Sequence, residues 1–216
     1  MTQIISDHER EAFYKTVYTR RDVRREFLPK AIPEEVLSRI LTAAHHAPSV
    51  GFMQPWDFIV IESEQTKSAV KNLFEQANQQ AAEMLTGERK QQYKRLKLEG
   101  ILEAPLNICV TCDRERTGNF VLGRTSNTDM DLYSTVCAIQ TLWLAARAEN
   151  IGMGWVSILD DRKLQQLLDI PEKIVPVAYL CLGYVSSFHD KPDLERAGWL
   201  PRRDVSQHLH KEKWLK

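Results

Sequence analysis

The chain has no excess of either charge: its 216 residues carry 29 lysines and arginines against 29 aspartates and glutamates. That balance argues against a partner held by bulk charge, so neither nucleic acid nor an anionic membrane surface is expected. No apolar run approaches the length of a membrane span. Residues 1–10 contain no apolar core of signal-peptide length, and a cytoplasmic location is expected. No GxGxxG stretch occurs, which removes the usual pointer to a Rossmann dinucleotide fold. No internal repeat, low-complexity tract or linker divides the chain. Residues 1–216 therefore read as a single domain, with 186–216 as a C-terminal extension or arm rich in proline and charge.

Metal-binding patterns are also missing. Cys109 and Cys112 form one CxxC, but no second CxxC follows, and none of the six histidines makes a metal-spaced set with it. The pair lies in an apolar stretch, 106–112, that reads as a strand. Residues three apart on a strand point to opposite faces, so they cannot chelate one ion. Reduced thiols packed in a core, and no metal, are the expectation. His45 and His46 are adjacent on a predicted helix and face different directions. They read as surface or loop-supporting residues.

What is present alternates between helix and strand. Ser6-x-x-Glu9 is a capping-box pattern that starts a helix running to about Thr19. Pro33 suits the first turn of a second helix, in which Val36, Leu37, Ile40, Leu41 and Ala44 follow helical spacing. A strand is expected at 57–61. A charged helical stretch follows at 65–98, interrupted near Gly87. Residues 113–127 form a polar loop long enough to suggest a function. The strongest helix is 131–150, with Leu132, Val136, Ile139, Leu142, Trp143 and Ala146 as a broad apolar stripe. Gly152 and Gly154 are expected to break it before a strand at 155–158. A short helix then runs to about Leu168. The stretch 175–185 is almost wholly apolar and reads as a central strand. This pattern is α+β. A helix apolar nearly all round needs burial on more than one side.

Two segments carry the chemistry. Arg20-Arg21-Asp22-Val23-Arg24 sets three guanidinium groups around one carboxylate within a single turn. Residues 48–56, Pro-Ser-Val-Gly-Phe-Met-Gln-Pro-Trp, form a proline-bounded loop with one hydroxyl, one amide and several apolar groups. Arginine forks suit phosphate because they donate paired, charge-assisted hydrogen bonds. Together the segments suit a ligand that is anionic at one end and flat and amide-edged at the other, a shape that flavin mononucleotide (FMN) has. The plain alternatives are a solvated surface turn and a simple loop.

The combination resembles the nitroreductase-like flavoprotein family, whose members carry R-x-S-x-R/K followed by P-S-x-x-N-x-Q-P-W. Asp22 stands where the family has Ser, and Val50 and Phe52 where many members have Ser and Asn. With residues 123–127 and 154–158, these departures resemble the flavin-fragmenting branch of the family, which makes 5,6-dimethylbenzimidazole. The resemblance spans about Glu9 to Trp199. It implies a nitroreductase-like fold: a central, mostly antiparallel sheet flanked by helices, in an intertwined homodimer with flavin at the subunit interface.

The resemblance also implies roles. Arg20 takes the flavin phosphate, Arg24 lies near the pyrimidine edge, and Arg21 serves either end. Val23 and Pro48 belong to the same flavin-binding segments. Arg202 and Arg203 resemble a basic pair that closes the phosphate site; the alternative is a solvated tail. Ser49 and Gln54 bond the ring edge, or else merely close their own turn. Asp22 is either a counter-ion to the arginines or a base at the first ribityl carbon. Arginines lower its pKa and burial raises it, a contest left open by sequence. Ser157 is either a core hydroxyl on a buried strand or a donor at the ring's reactive edge. The implied reaction consumes reduced FMN as substrate: O2 adds to the reduced ring, which fragments to the benzimidazole and erythrose 4-phosphate, for the lower ligand of cobalamin. The apolar run 50–53 fits a sealed pocket and 84–100 a lid. A flavin reductase is a possible supplier of reduced FMN. An NAD(P)H-dependent FMN nitroreductase and a non-catalytic flavin carrier are the competing readings.

Overall fold

A computed structural model describes residues 4–214. Its centre is a four-stranded sheet in the order β1-β2-β4-β3, antiparallel throughout: β1 is Trp56–Ile61, β2 Leu106–Asp113, β3 Ile151–Val156 and β4 Ile174–Tyr184. The apolar stretch expected to be central is β4, an inner strand paired on both sides. Helices cover both faces. The helices are α1 (Asp7–Thr19), α2 (Glu34–His45), α3 (Glu64–Glu83), α4 (Gly87–Lys94), α5 (Met130–Ala148), α6 (Asp161–Leu167) and α7 (Asp193–Arg196), of which α2 and α5 cover one face and α3 and α6 the other.

The alternation of side chains along β2 and β4 divides the core in two. Ile108, Val110, Leu180 and Leu182 face α2 and α5, where Ile40, Ile139 and Leu142 are fully buried. Cys109, Tyr179 and Cys181 face the other way, toward Val70 and Phe74 of α3 and Leu164 of α6. Cys112 lies on the α5 side, beside Thr135. The CxxC sulfurs thus sit on opposite faces, as the strand period requires. Burial pushes the Cys109 thiol up to about 12, so it is a neutral core group. No metal-ligating cluster occurs among the described residues, and no helix among them is long and apolar enough to cross a membrane.

Local signals explain most element ends. The Ser6 hydroxyl accepts from Glu9 N and the Glu9 carboxylate accepts from Ser6 N, a complete capping box. Gly87, at φ 56°, opens α4 after a break at 84–86. Two sequence expectations need correction. Gly152 and Gly154 do not end α5; they lie inside β3. The turn is made by Asn150 at φ 57°, since asparagine tolerates the left-handed region. Ser157 lies just past β3 and is exposed, so it is no core hydroxyl on a buried strand. The glycines serve packing instead: a Cβ on Gly154 would lie 2.2 Å from the Val23 carbonyl oxygen, and one on Gly152 2.4 Å from a Val185 methyl. Their bareness lets residues 22–23 lie flush on the sheet, where Val23 N donates to Met153 O at 3.0 Å.

The stripe expected on α5 is also incomplete in one respect. Val136 is exposed, with Tyr133 beside it, while Ile139, Leu142 and Trp143 are buried. Helix α1 buries none of its residues and exposes Phe13, Tyr14 and Tyr18.

Candidate active site

The 20–24 segment runs from the end of α1 along the outer edge of β3. Its geometry corrects the picture of three arginines around one carboxylate. Asp22 Oδ2 pairs with Arg24 Nη2, and Asp22 Oδ1 accepts from Trp155 N at 3.1 Å. Arg24 Nη1 donates to the Lys97 carbonyl at 3.1 Å. Arg21 turns away: it donates to the carbonyls of Tyr18, Arg20 and Asp190, bridging to the arm. Arg20 stacks on Trp143 at 4.6 Å, and Trp143 Nε1 in turn donates to Arg21 O at 3.2 Å. The Arg20 guanidinium makes no hydrogen bond with any described residue.

The electrostatics resolve the contest over Asp22. Burial pushes its carboxyl above the usual carboxylate range, and Arg24, the Trp155 N–H and Arg20 oppose this without overcoming it. Its side chain retains 30% exposure, so the carboxyl is enclosed yet reachable. Burial also lowers the proton affinity of Arg20, with Asp22 working against the shift and Arg21 and Arg202 adding to it. A half-desolvated cation with unused donors is a ready partner for an anion.

Arg20, Arg21 and Arg202 line one cleft of about 630 Å³ with Lys191, Asp190 and Glu195. The arm therefore brings Arg202 to the front-end arginines, whereas Arg203 is exposed and does not line the cleft. Val23 is buried against Gly152 and Gly154. Ser157 follows Trp155 by two positions, about 7 Å along an extended chain. It borders a small cleft of about 130 Å³ with Leu159, Asp161 and Tyr179.

The second segment lies elsewhere. Val50 N donates to Ser134 Oγ at 3.0 Å, near the start of α5, while the arginine turn is fastened to Trp143. Nine helical positions put these anchors about 14 Å apart. Within one chain no hydrogen bond among the described residues joins the two segments. The loop also closes on itself: Ser49 Oγ accepts from Gln54 N at 3.0 Å, and Gln54 Nε2 donates to Phe52 O at 3.1 Å. Gly51, Phe52 and Gln54 all take positive φ. Pro48 is exposed, and Phe52 is 80% exposed, so within one chain it seals nothing. Residues 113–124 brace the loop: Arg116 Nη1 donates to Gln54 O at 3.0 Å and Arg124 Nη1 approaches Met53 Sδ at 3.8 Å. His45 supports it too, accepting from Trp56 Nε1 at 3.1 Å.

The stretch read as a lid is α4 with its flanks. It is latched to the arm: Arg89 stacks on Trp199 at 3.4 Å, and Gln92 donates to Gly198 O at 3.0 Å. Sequence reasoning missed Trp143, the Trp155 N–H and the Lys97 carbonyl. Backbone groups leave no mark in a residue pattern, and Trp143 read simply as part of the α5 stripe.

Comparison with known proteins agrees with this architecture. The nitroreductase family model matches residues 17–184. A 5,6-dimethylbenzimidazole synthase of Rhodospirillum rubrum is 44% identical over 184 residues, covering 85% of this chain and 87% of that protein. One from Rhodobacter capsulatus is 41% identical over 190 residues, covering 88% and 91%. Among solved structures, an iodotyrosine deiodinase bound to FMN and 3-iodo-L-tyrosine superposes with a TM-score of 0.74 at 23% identity, covering 94% of this chain and all of that one. With its antiparallel sheet, its arginine turn on β3 and relatives this similar over most of its length, the chain belongs to the nitroreductase family of oxidoreductases, in the branch of the 5,6-dimethylbenzimidazole synthases.

Proposed function

We propose that the chain takes reduced FMN as a substrate and, with O2, fragments it to 5,6-dimethylbenzimidazole and erythrose 4-phosphate, for the lower ligand of cobalamin. The observation that carries this reading is Asp22: a reachable carboxylate whose proton affinity burial has raised, at a position where the family pattern has Ser. A pure phosphate site has no use for a carboxylate there. A base does, and a raised pKa makes it a stronger one.

The residues fit the flavin. Arg20 has unused donors, and the buried Nε atoms of Arg21 and Arg24 have no partner. Arg20 and Arg202 would hold the phosphate in the basic cleft, with Arg203 following on the arm. Arg24 would lie near the pyrimidine edge and Arg21 would tie this turn to the arm. Asp22 would accept the proton of the first ribityl carbon, oriented by Trp155 N–H and Arg24. Ser157, exposed just beyond β3, would donate at the reactive edge. Val23 would keep the turn flush on β3. Reduced flavin itself supplies the electrons that oxygen takes.

The reading includes a homodimer. Its support is the anchoring of the two segments at different points of one α5, Ser134 and Trp143, and the apolar faces left open on α1 and α5, with Phe52, Phe120 and Leu122 also exposed. In a dimer, Pro48, Ser49 and Gln54 of one subunit would complete the ring edge of the site on the other, and Phe52 would find cover there. No metal enters the scheme. The chain is read as one nitroreductase-like domain, 1–216, whose 186–216 arm latches α4, and as a cytoplasmic protein. A separate flavin reductase is the partner class that would supply its substrate.

The test is product analysis. Reduced FMN is bound without oxygen, air is admitted, and the products are separated. Loss of flavin with stoichiometric benzimidazole supports the synthase. Intact oxidised flavin with fast nicotinamide oxidation would instead establish an NAD(P)H-dependent nitroreductase. Intact flavin with neither would establish a carrier.

A further inference from the structure

Glu99 is a buried carboxylate outside the site described so far. Its side chain is 2% exposed. One oxygen accepts from Lys71 of α3 at 2.9 Å and from Lys97 at 2.5 Å, and the other from Ile101 N at 2.8 Å. Lys97 also pairs with Glu103. Burial works against the charge on Glu99, yet its two lysines and the Ile101 N–H hold its carboxyl below the usual range. Buried ion clusters seldom add net stability over apolar packing, because desolvation offsets attraction. A cluster of this kind asks for another purpose.

Its position suggests one. The Lys97 carbonyl is one of two groups that hold the Arg24 guanidinium; the other is Asp22. Arg24 Nε is buried without a partner. The orientation of Arg24 thus depends on where the backbone at Lys97 lies, and Glu99 holds the stretch around it through its bonds to Lys97 Nζ and Ile101 N. Gly100 brings the same stretch close: a Cβ there would lie 3.1 Å from Arg24 O and 2.7 Å from the Phe27 ring.

We propose that Glu99 is a positioning residue for the reaction, acting through Lys97 and Arg24 to set the orientation of Asp22. The inference rests on the reading of Asp22 as the base. Asp22 is faced by Arg24 and Arg20 from its own turn, by Trp155 N–H from β3 and by Cys181 from β4, a thiol that burial keeps neutral. Across a cleft of about 290 Å³, Arg24 is faced by Arg25, Glu26, Lys97, His189, Asp193 and Arg196. His189 is joined to Glu26 at 2.8 Å rather than to Asp22 or Arg24. Loosening Arg24 removes charge that opposes the burial shift, so the Asp22 pKa rises further.

The experiment is the pH profile of benzimidazole yield per bound flavin, in single turnover, with FMN affinity measured separately. In Glu99→Gln the acid limb moves to higher pH by about 1 unit, yield recovers at alkaline pH, and FMN affinity is retained. A uniform loss at all pH values, or an acid limb that stays in place in a folded, flavin-binding protein, overturns the proposal. Should Glu99→Gln not fold, Lys97→Gln decides it by the same criterion, since that side chain is 25% exposed. Asp22→Asn separates the two layers. Product from that variant overturns the base reading itself, whereas no product there and an unmoved limb in Glu99→Gln overturns only the relay.

Discussion

The arginine turn and the 48–56 loop differ in how their polar groups are used. In the turn, backbone and side chains are fastened to other elements: β3 through Met153 and Trp155, α5 through Trp143, the 97–101 stretch through Lys97 and the arm through Asp190. Binding capacity remains in Arg20, which is stacked and half-buried with donors to spare. In the loop, Ser49 and Gln54 are spent on the loop itself, three residues take positive φ, and Phe52 faces outward. On the proposed reading, the turn is preorganised for the flavin within one chain. On the same reading, the loop must exchange the Gln54–Phe52 bond for a new one before its amide reads the ring. Preorganisation of this kind removes ordering costs from binding.

Breaking the turn is expected to have the largest effect. Asp22→Asn keeps the shape and removes the proposed base. Reduced flavin should still bind and still react with oxygen, but benzimidazole yield should fall by about 100-fold or more. A mere counter-ion would behave in the opposite way, with altered affinity and normal yield from whatever flavin is bound. Affinity and yield measured in one sample therefore decide the role. Next comes Arg20→Ala, expected to weaken FMN by roughly 1.5–3 kcal/mol. Riboflavin, lacking phosphate, should be weakened less; equal weakening of both ligands would remove Arg20 from the phosphate.

Gly154→Ala tests whether the turn depends on its seat on the sheet. The added methyl meets the Val23 carbonyl at 2.2 Å. Overpacking of this kind costs about 1–3 kcal/mol of stability, readable in urea unfolding, and it should displace Asp22 from Trp155 N–H. A variant with unchanged stability and yield would show that the close approach is dispensable. The loop should respond least. Phe52 sits at φ 55°, a conformation that asparagine adopts more readily. Phe52→Asn should therefore change stability by no more than about 0.5 kcal/mol while lowering benzimidazole per flavin consumed and raising peroxide. An unchanged yield would mean that this apolar side chain does not seal the site.

Much of this was legible in the residue order, because the relevant forces are local or periodic. The capping box of α1, the break at Gly87, the opposed cysteines and the inner place of β4 follow from hydrogen-bonding capacity, backbone freedom and side-chain alternation. Motif spacing pointed to the family, and the basic, carboxylate-bearing turn was visible as a candidate site. Folding decided what depends on groups distant in sequence. The two glycines before Trp155 looked like helix breakers, but they are close-packing positions for residues 22 and 23, a contact between segments about 130 positions apart. Arg21 left the cluster because Asp190, far along the chain, offered its carbonyl. Whether arginines or burial governs Asp22 turned on how much of the carboxylate the sheet encloses. Spacing in the sequence specifies which charges are neighbours along the chain; only the packed structure sets the dielectric around them and the partners that reach them, and those two quantities determine a proton's affinity.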